Sequence, residues 1–392
     1  MKIAIVGGGA AGFFAAINMK EMQPGLQVSI LERSQRPLAK VEISGGGRCN
    51  VTNSFRSVGT DLAAVYPRGH RLLGRLFRSF GPRDAYEWFE RRGVRLVTQP
   101  DDCVFPQTQD ARTISHLFLS EARRLGIDLR TGQRITALDD LSPYDAVVIA
   151  IGGQPRRDAL LWLRQPIVDP VPSLFTLSID DPRLHDLMGT VVPTAQVLLP
   201  GTRLRADGPL LITHWGMSGP AILRLSSYGA RLLSECDYRH ALAVNWLGTS
   251  EAEARQLISR LIALHPQRQI ATQRPDGLQQ RLWQYLTEKS LGPERARAPW
   301  ASLNQKEQNR LLNTLTNDTF QTSGRAPHRD EFVTCGGIAL TAVNAQTLES
   351  RSHPGLYFCG EVLDIDGVTG GFNFQAAWTT AHAVARALAA EQ

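Results

Sequence analysis

The stretch that decides the fold is residues 3–12, which read IAIVGGGAAG. Ile3–Val6 is an uninterrupted apolar run, typical of a parallel strand that is buried on both faces. The glycines that follow satisfy the GxGxxG pattern: Gly7 permits a tight turn, Gly9 lets the backbone approach a pyrophosphate, and Gly12 permits close packing of helix on strand. The stretch therefore predicts a strand, a glycine turn and a helix whose N-terminus faces a dinucleotide.

A second predicted strand, Gln27–Leu31, completes a βαβ unit and ends at Glu32. A carboxylate in this place accepts hydrogen bonds from ribose hydroxyls and repels a 2′-phosphate. The residues that this pattern assigns to the dinucleotide are Gly7, Gly9, Ala10, Ala11, Gly12, Glu32 and Arg33.

The rest of the chain predicts an α/β protein whose nucleotide domain is interrupted by an insertion. Helices are predicted over Ala85–Arg92, Thr113–Leu125 and Phe374–Leu388, and strands over Asp128–Ile135, Asp145–Ala150 and Gly355–Cys359. Short β-like runs occupy 184–244 and 312–340, and a stretch with helical spacing occupies 250–311. We therefore predict a doubly wound, Rossmann-like domain (1–184 and 346–392), an inserted β-rich domain (185–246 and 312–345) and a small helical domain (247–311).

A second glycine cluster follows the last predicted strand and reads GEVLDIDGVTGGFN over residues 360–373. NAD needs only one βαβ site, whereas FAD is longer and needs a second anchoring loop for its ribitol and ring. One of the acidic side chains can hold ribitol, and the amides of residues 371–374 can face the flavin where negative charge develops. The cluster favours FAD, and its expected contacts are Gly360, Glu361, Asp364, Gly367, Gly370, Gly371, Phe372 and Asn373.

A third cluster reads KVEISGGGRCNVTN over residues 40–53. Its consecutive glycines permit backbone contact with a flat or phosphorylated ligand, and its polar side chains supply hydrogen bonds and positive charge. A purely structural loop is the alternative. The cofactor contacts expected here are Lys40, Ser44, Gly45, Gly46, Arg48, Cys49, Asn50 and Thr52, and Ile135, Ala150 and Gly152 are expected to join them from elsewhere in the nucleotide domain.

The candidate catalytic residues are Cys49 and Arg48. Arg48 and the loop amides can lower the pKa of the Cys49 thiol and so suit it to proton donation; a packed, unreactive cysteine is the alternative. The absence of a CxxC pair argues against a disulfide reductase. The nine histidines show no metal-ligand spacing, so no metal is predicted. His214, beside Trp215, either faces the active site or is structural.

Composition excludes several classes of protein. A hydrophobic fraction of 43% excludes disorder. The apolar N-terminal stretch is broken by glycines and reads as a strand and helix rather than a signal peptide, and no run reaches the roughly 18 apolar residues of a membrane span. The five scattered cysteines suit a reducing compartment, so we expect a soluble, cytoplasmic protein.

These clusters together carry a family resemblance. The chain resembles the bacterial HI0933-like (BaiN/YhiN-like) flavoproteins at GGGAAG (7–12), SGGGRCNVTN (44–53) and GLYFCGEVLDIDGVTGGFNFQ (355–375), and THWGMSGPAIL (213–223) looks like that family's inserted-domain signature. The resemblance implies a glutathione-reductase-type FAD domain split by a β-barrel-like and a helical domain, with the 44–53 loop along the flavin. After Gly153 the family usually has a proline and a GSTG-like loop, where this chain has Gln154–Asp158; no substrate contacts are therefore transferred there.

The expected function is that of an FAD-dependent oxidoreductase, with hydride transfer from flavin N5 to an activated C=C bond. No second GxGxxG occurs, so NAD(P)H, if it is the donor, would dock transiently at the flavin. The resemblance also allows amine oxidation or reduction of uridine in ribosomal RNA. A non-catalytic flavin-binding module is the third class.

The charge balance leaves the partner open. Lys and Arg number 43 against 37 Asp and Glu, and only five of the cations are lysines. The arginine excess indicates either an anionic partner such as RNA or genomic codon bias. Tyr66–Arg95 holds eight arginines against three acidic residues, with apolar residues at helical spacing, which predicts a solvated basic face. We expect a small-molecule substrate, with RNA as the other candidate and no membrane partner; the oligomeric state stays open.

Overall fold

The chain divides into two compact units in the computed structural model, which describes residues 1–59, 61–327 and 333–390. The first unit contains Met1–Ser173 together with the described residues 333–390, and the second is Leu174–Pro327.

The strands, in chain order, are β1 Lys2–Val6, β2 Gln27–Leu31, β3 Thr52–Asn53, β4 Leu96–Thr98, β5 Cys103–Pro106, β6 Asp128–Arg130, β7 Ala146–Ile149, β8 Ile167–Ser173, β9 Leu177–Ser178, β10 Val191–Leu198, β11 Arg205–Ile212, β12 Gly216–Ser218, β13 Ala241–Asn245, β14 Asp318–Gln321, β15 Gly324–Arg325, β16 Val333–Ile338 and β17 Leu356–Phe358. The α-helices are α1 Ala10–Met22, α2 Ala39–Gly47, α3 Leu62–Val65, α4 His70–Leu76, α5 Pro82–Glu90, α6 Arg112–Arg124, α7 Pro182–His185, α8 Pro220–Tyr228, α9 Ala230–Glu235, α10 Glu251–Leu264, α11 Gln280–Leu291, α12 Pro293–Ala296, α13 Gln305–Thr316 and α14 Phe372–Ala390.

The first unit is built on a five-stranded parallel sheet of order β17-β7-β1-β2-β6. Strand β1 lies between β2 and β7, in the registers Ile3↔Val28 and Ile3↔Ala146. Strands β1 and β2 are buried from their second residue onward, as apolar parallel strands require. Because the chain turns to opposite sides of β1 on leaving β1 and on returning through β7, the carboxyl ends of these strands flank a topological switch point, where α/β proteins bind ligands.

Two small antiparallel sheets complete the first unit. Strand β8 pairs with β16, and β3, β5 and β4 form a three-stranded sheet. Helices α1 and α14 share an aromatic core, in which the rings of Phe14 and Trp378 lie 5.1 Å apart.

The second unit is a seven-stranded antiparallel sheet of order β14-β13-β10-β11-β12-β9-β15 with helices α7–α13. Its core contains the fully buried Trp246, Trp283 and Trp300. No helix in the described parts of the chain is long and apolar enough to cross a membrane.

The predicted fold class is confirmed: a parallel Rossmann-like sheet is interrupted in the sequence by an antiparallel sheet with helices. The prediction placed the joins at 184/185 and 345/346, whereas the second unit spans Leu174–Pro327. The pairing of β8 with β16 explains the difference, because it keeps both connecting strands in the first unit.

Three local predictions are wrong. Strand β6 ends at Arg130, because Gly132 at φ +69° turns the chain away, so Ile135 lies in coil. Residues 312–316 continue helix α13, which buries Leu311, Leu312 and Leu315 at helical spacing. Arg68 and Arg92 leave the predicted solvated face, since their side chains are only 16% and 15% exposed and are paired with Asp366 and Glu21.

Candidate functional site

The first glycine turn has the geometry that its sequence predicts. Gly7 has φ +116°, and a Cβ there would lie 2.4 Å from the carbonyl oxygen of Ala150. A Cβ on Gly12 would lie 2.0 Å from the carbonyl oxygen of Gly7, so any larger residue would separate helix from strand. Gly9 has no atom within 4 Å of its added Cβ. Gly7 and Gly12 thus permit close packing of the backbone, whereas Gly9 leaves open space before helix α1, where an anion is favoured.

Glu32 lies beside this turn. Its carboxylate accepts hydrogen bonds from the amides of Gly8, at 2.7 Å, and Ser34, at 2.8 Å, one on each oxygen. Each carboxylate oxygen retains a further acceptor position, so Glu32 can still receive ribose hydroxyls. Arg33 is exposed directly after it.

The second glycine cluster comes directly to the first turn. Gly360, at φ +78°, would place an added Cβ 2.8 Å from Cβ of Ala11. Glu361 follows, and its Oε1 accepts from the amide of Thr334 at 2.9 Å while its Oε2 lies 3.4 Å from Nζ of Lys40. The first, second and third sequence clusters therefore meet around Ala11, Glu361 and Lys40.

The two aspartates of the second cluster have different environments. Asp366 is fully buried, where Arg68 forms an ion pair with it and the hydroxyl of Ser173 donates to it at 3.0 Å. Asp364 is only half-buried, and its amide donates to the carbonyl of Ile338 at 3.0 Å. The carboxylate of Asp366 is thus enclosed by protein partners, whereas Glu361 and Asp364 are only partly buried and are the acidic residues of this cluster that a ligand can reach.

The turn before helix α14 packs against the third cluster. Gly371, at φ +90°, would place an added Cβ 2.3 Å from the carbonyl oxygen of Thr52 and 2.7 Å from Oδ1 of Asn50. The side chain of Asn373 closes the turn, since it accepts from the amide of Gly367 at 2.8 Å and donates to the carbonyl of the same residue at 2.9 Å. Phe372 begins α14 immediately afterwards.

The glycines of the third cluster interrupt the regular geometry of helix α2. Ser44, Gly45 and Gly46 leave helical geometry, with φ of +57° and +66° at the two glycines, and an added Cβ on Gly46 would meet nothing within 4 Å. The hydroxyl of Ser44 donates back to the carbonyl of Val41 at 2.7 Å. An exposed, uncrowded backbone therefore faces solvent at Gly46, as contact with a flat ligand requires.

The environment of Cys49 and the pKa of its thiol differ from those predicted from the sequence. Its side chain is fully buried, and burial raises the pKa of the thiol to about 12, although Ser44 opposes that shift. The predicted lowering of this pKa by Arg48 is wrong, because removal from water raises the pKa and the opposing contribution comes from Ser44 rather than from Arg48. The alternative, a packed cysteine, fits this geometry.

The guanidinium of Arg48 lies over an aromatic ring. This group lies 4.3 Å from the ring centroid of Phe105, and its Nε donates to the carbonyl of Gly45 at 3.3 Å. Within the described residues Arg48 has no carboxylate in ion-pair distance. The loop thus holds a cation whose charge is not neutralised by a carboxylate.

The remaining predicted residues divide into two groups. Ala150 lies against Gly7 of the first turn, and Gly152 lies near Glu361 of the second cluster. Ile135 is half-exposed in coil, and His214 is exposed in the second unit with its ring 4.8 Å from that of Trp215. In the described ranges no three His, Cys, Asp or Glu side chains form a metal site.

Sequence reasoning missed Arg68, Asp366, Thr334 and Gln375. The partners of these residues are distant in the sequence, and no motif spacing predicts the contacts between them. The one available signal was the second carboxylate of the DID triplet, since one acidic side chain is enough to hold ribitol and the other has no assigned role.

The chain matches two domain models of one family. The HI0933-like protein Rossmann domain matches residues 1–157, and the HI0933-like protein barrel and H2TH domain matches residues 171–333. The ribosomal RNA dihydrouridine synthase of Escherichia coli (strain K12) is 29% identical, covering 98% of this chain and 97% of that protein. The 3-dehydro-bile acid delta(4,6)-reductase of Clostridium scindens is 27% identical, covering 99% of both.

A solved structure shares the fold. The 3-ketosteroid delta1-dehydrogenase of Sterolibacterium denitrificans superposes with a TM-score of 0.51 at 12% identity, covering 100% of this chain and 99% of that one. Identity this low supports a common architecture and carries no argument about substrate.

Proposed function

This chain belongs to the HI0933-like family, a family of flavin-dependent oxidoreductases, and we propose that it holds FAD and reduces a C=C bond conjugated to a carbonyl group. The observation that carries the proposal is the approach of Gly360 to Ala11, where an added Cβ would lie 2.8 Å from Cβ of Ala11. A pyridine nucleotide needs only the first turn. A second glycine turn pressed against it is what the longer FAD requires.

The residues present fit this cofactor. The open backbone at Gly9 and the N-terminus of α1 suit the diphosphate, and Glu32 suits the ribose hydroxyls. Glu361 or Asp364 would hold the ribitol, and the N-terminus of α14 would face the ring. Bound FAD would supply the hydride-transfer chemistry; NAD(P)H is the donor that we propose to test first.

Arg48 is the residue that we assign to the substrate. Addition of a hydride to an enone leaves negative charge on the carbonyl oxygen, and a fixed cation stabilises that charge. The position of Arg48 over Phe105 and its hydrogen bond to Gly45 hold it in place without neutralising it. Cys49, with a buried thiol that stays protonated, packs the loop.

The names of the two relatives both indicate the reduction of a C=C bond that is conjugated to a carbonyl group. Dihydrouridine is uridine with its ring C=C reduced, and that bond is conjugated to a ring carbonyl. A delta(4,6)-reductase acting on a 3-dehydro bile acid likewise reduces C=C bonds in conjugation with a ketone. The shared chemistry supports an enone-like substrate for this chain and leaves its size open.

The test is the reoxidation of the reduced holoprotein. Protein loaded with FAD is reduced without oxygen, by NADH, NADPH or an amine in separate trials, and then mixed with a simple cyclic enone, uridine or O2. Rapid reoxidation by the enone is expected, and Arg48→Met should slow it by about 10²–10³-fold, as loss of one oxyanion donor does. The exposed Arg112→Met is the matched control. Failure to take up FAD, or reaction with O2 alone after amine reduction, would overturn the proposal.

A second candidate substrate is uridine within RNA. The observation in its favour is a row of exposed arginines on and after helix α4, Arg71, Arg75 and Arg78, spaced along one face. None of the three forms an ion pair within the described residues, so their charges are available to phosphates. Dihydrouridine formed in an RNA transcript by the reduced protein, with a rate that falls steeply with salt, would support this substrate. Replacing all three arginines by glutamine should then abolish RNA reduction and leave reduction of the small enone intact.

A further inference from the structure

The second unit is joined to the first through two paired strands. The chain leaves the first unit along β8, whose last residue is Ser173, and returns along β16. The two strands are antiparallel, with Val333 opposite Ser173 and Ile338 opposite Ile167. We call this pair the connector.

The connector is fastened to the second glycine cluster. The amide of Thr334 donates to Glu361, at 2.9 Å, and the amide of Asp364 donates to the carbonyl of Ile338, at 3.0 Å. A Cβ on Gly337 would lie 2.4 Å from the carbonyl oxygen of Val362, so the two backbones are in direct contact. The hydroxyl of Ser173 donates to Asp366 at 3.0 Å. Both strands of the connector therefore hold the segment from Glu361 to Asp366.

The segment Val65–Gly69 holds the same turn. The carbonyl of Val65 accepts from the amide of Val368 at 2.9 Å, and the hydroxyl of Tyr66 donates to the carbonyl of Phe372 at 2.8 Å. A Cβ on Gly69 would lie 2.7 Å from the side chain of Ile365. Arg68, in the middle of this segment, forms its ion pair with Asp366.

Asp366 is thus the point where three chain segments meet. Its side chain is fully buried, and its partners are a guanidinium from 65–69 and a hydroxyl from the connector. A buried carboxylate that loses its cation is left uncompensated and must either take up a proton or become hydrated, and in both cases the turn loses this tie to segment 65–69. Loss of Arg68 would therefore displace the turn from 364 to 372, which leads into the N-terminus of α14.

We propose that Arg68 and Asp366 are positioning residues, whose ion pair fixes the turn from 364 to 372 between the connector and segment 65–69 and thereby sets how tightly FAD is held and at what potential it is reduced. This inference rests on the proposed FAD site. Neither residue need touch the cofactor; both act through the backbone of the turn.

The experiment compares Arg68→Met and Arg68→Lys with wild type and with Arg83→Met, a matched control whose side chain is 90% exposed in its pair with Glu87. Hydrogen exchange in the protein without FAD should show faster exchange at the amides of Asp364 and Val368 in Arg68→Met, with exchange in the second unit unchanged. With FAD, Arg68→Met should bind at least about tenfold more weakly and show a changed midpoint potential. Arg68→Lys should recover part of both effects, and Ser173→Ala should show a smaller change of the same sign.

The outcomes separate the two proposals. If Arg68→Met melts at a lower temperature but its folded fraction keeps wild-type FAD affinity and midpoint potential, the pair is structural only and the inference is overturned. If wild type itself takes up no FAD, the proposed function fails; unchanged exchange at Asp364 and Val368 in Arg68→Met would then reject the positioning role as well. Exchange that accelerates throughout the first unit would equally reject it, since the effect would not be local to the turn.

Discussion

The hydroxyl of Thr52 donates a hydrogen bond to Oε1 of Gln375, 2.6 Å away, and joins two buried side chains that are 323 positions apart in the sequence. Thr52 is the last residue but one of the third glycine cluster, and Gln375 lies in the first turn of α14, just after the second cluster. The bond therefore holds together the two loops that we assign to the flavin. It also explains why a glycine is needed at 371, where the backbones touch.

Thr52→Val tests this bond. Valine keeps the shape of threonine but leaves the buried amide oxygen of Gln375 without its donor, which costs about 1–3 kcal/mol of unfolding free energy. Urea unfolding measures the loss. Thr319→Val, at an exposed position, is the control and should change stability by less than about 0.5 kcal/mol. Equal losses in both variants would show that the Thr52 bond contributes nothing specific.

The buried thiol of Cys49 leads us to expect that the unfolding free energy falls at alkaline pH. Burial raises the pKa of its thiol to about 12, well above the value of an unfolded cysteine. Such a group contributes stability that is complete below the unfolded pKa and is lost as the pH rises toward the folded pKa. Between about pH 9 and 11, each cysteine of this kind should lower the unfolding free energy by about 1.4 kcal/mol per pH unit. Cys359, also buried with a pKa raised to about 12, adds an equal slope.

The measurement is urea unfolding of wild type and Cys49→Ala at pH 8, 9 and 10. The variant should lose stability less steeply between pH 9 and 10, whatever its stability at pH 8. In the native protein at pH 8, a thiol reagent should modify the half-buried Cys236 before Cys49. Rapid labelling of Cys49, or an unchanged alkaline slope in the variant, would restore the reactive-cysteine hypothesis.

The buried imidazole of His382 leads us to expect that the unfolding free energy falls at acidic pH. Burial, aided by the charge of Arg386, lowers its pKa to about 4, and its ring stacks on Phe80 with centroids 4.5 Å apart. A histidine with a lowered folded pKa contributes stability that is present above about pH 6.5 and is lost as the pH falls toward 4. His382→Phe keeps the stacking and removes the titration. It should reduce the acid destabilisation between pH 6.5 and 4.5 by roughly 1–2 kcal/mol, measured by urea unfolding; an unchanged acid slope would contradict the assignment.

The parts of the fold that short-range chemistry dictates could be predicted from the sequence. Gly12 is required by a contact within one βαβ unit, because its Cβ would meet the carbonyl oxygen of Gly7, and the GxGxxG pattern predicted this close packing. The pattern also predicted a glycine turn at Gly7, although the atom that a Cβ would meet there belongs to the distant Ala150. The polar residues in and beside the glycine clusters predicted ligand contacts for Glu32, Glu361 and Lys40. The structure places all three near the glycine turns. The pKa of Cys49 could not be predicted, because it depends on burial that its sequence neighbours do not encode. The sequence predicted Arg68 to be solvated like the neighbouring arginines, because Asp366, the carboxylate that pairs with it, lies 298 positions away.

Gly9 and Gly12 give the most direct test of the nucleotide turn, because the same substitution should have opposite effects. Gly12→Ala places a methyl group 2.0 Å from the carbonyl oxygen of Gly7, so it must part α1 from β1 and should lower the unfolding free energy by more than about 3 kcal/mol or prevent folding. Gly9→Ala meets no atom within 4 Å and has φ −95°, so its melting temperature should stay near that of wild type. Its methyl group instead occupies the space before the helix N-terminus, and FAD should bind about tenfold or more weakly, as measured by titration of the protein freed of cofactor. Wild-type FAD affinity in a fully folded Gly9→Ala would place the diphosphate elsewhere and remove the turn from the proposed site.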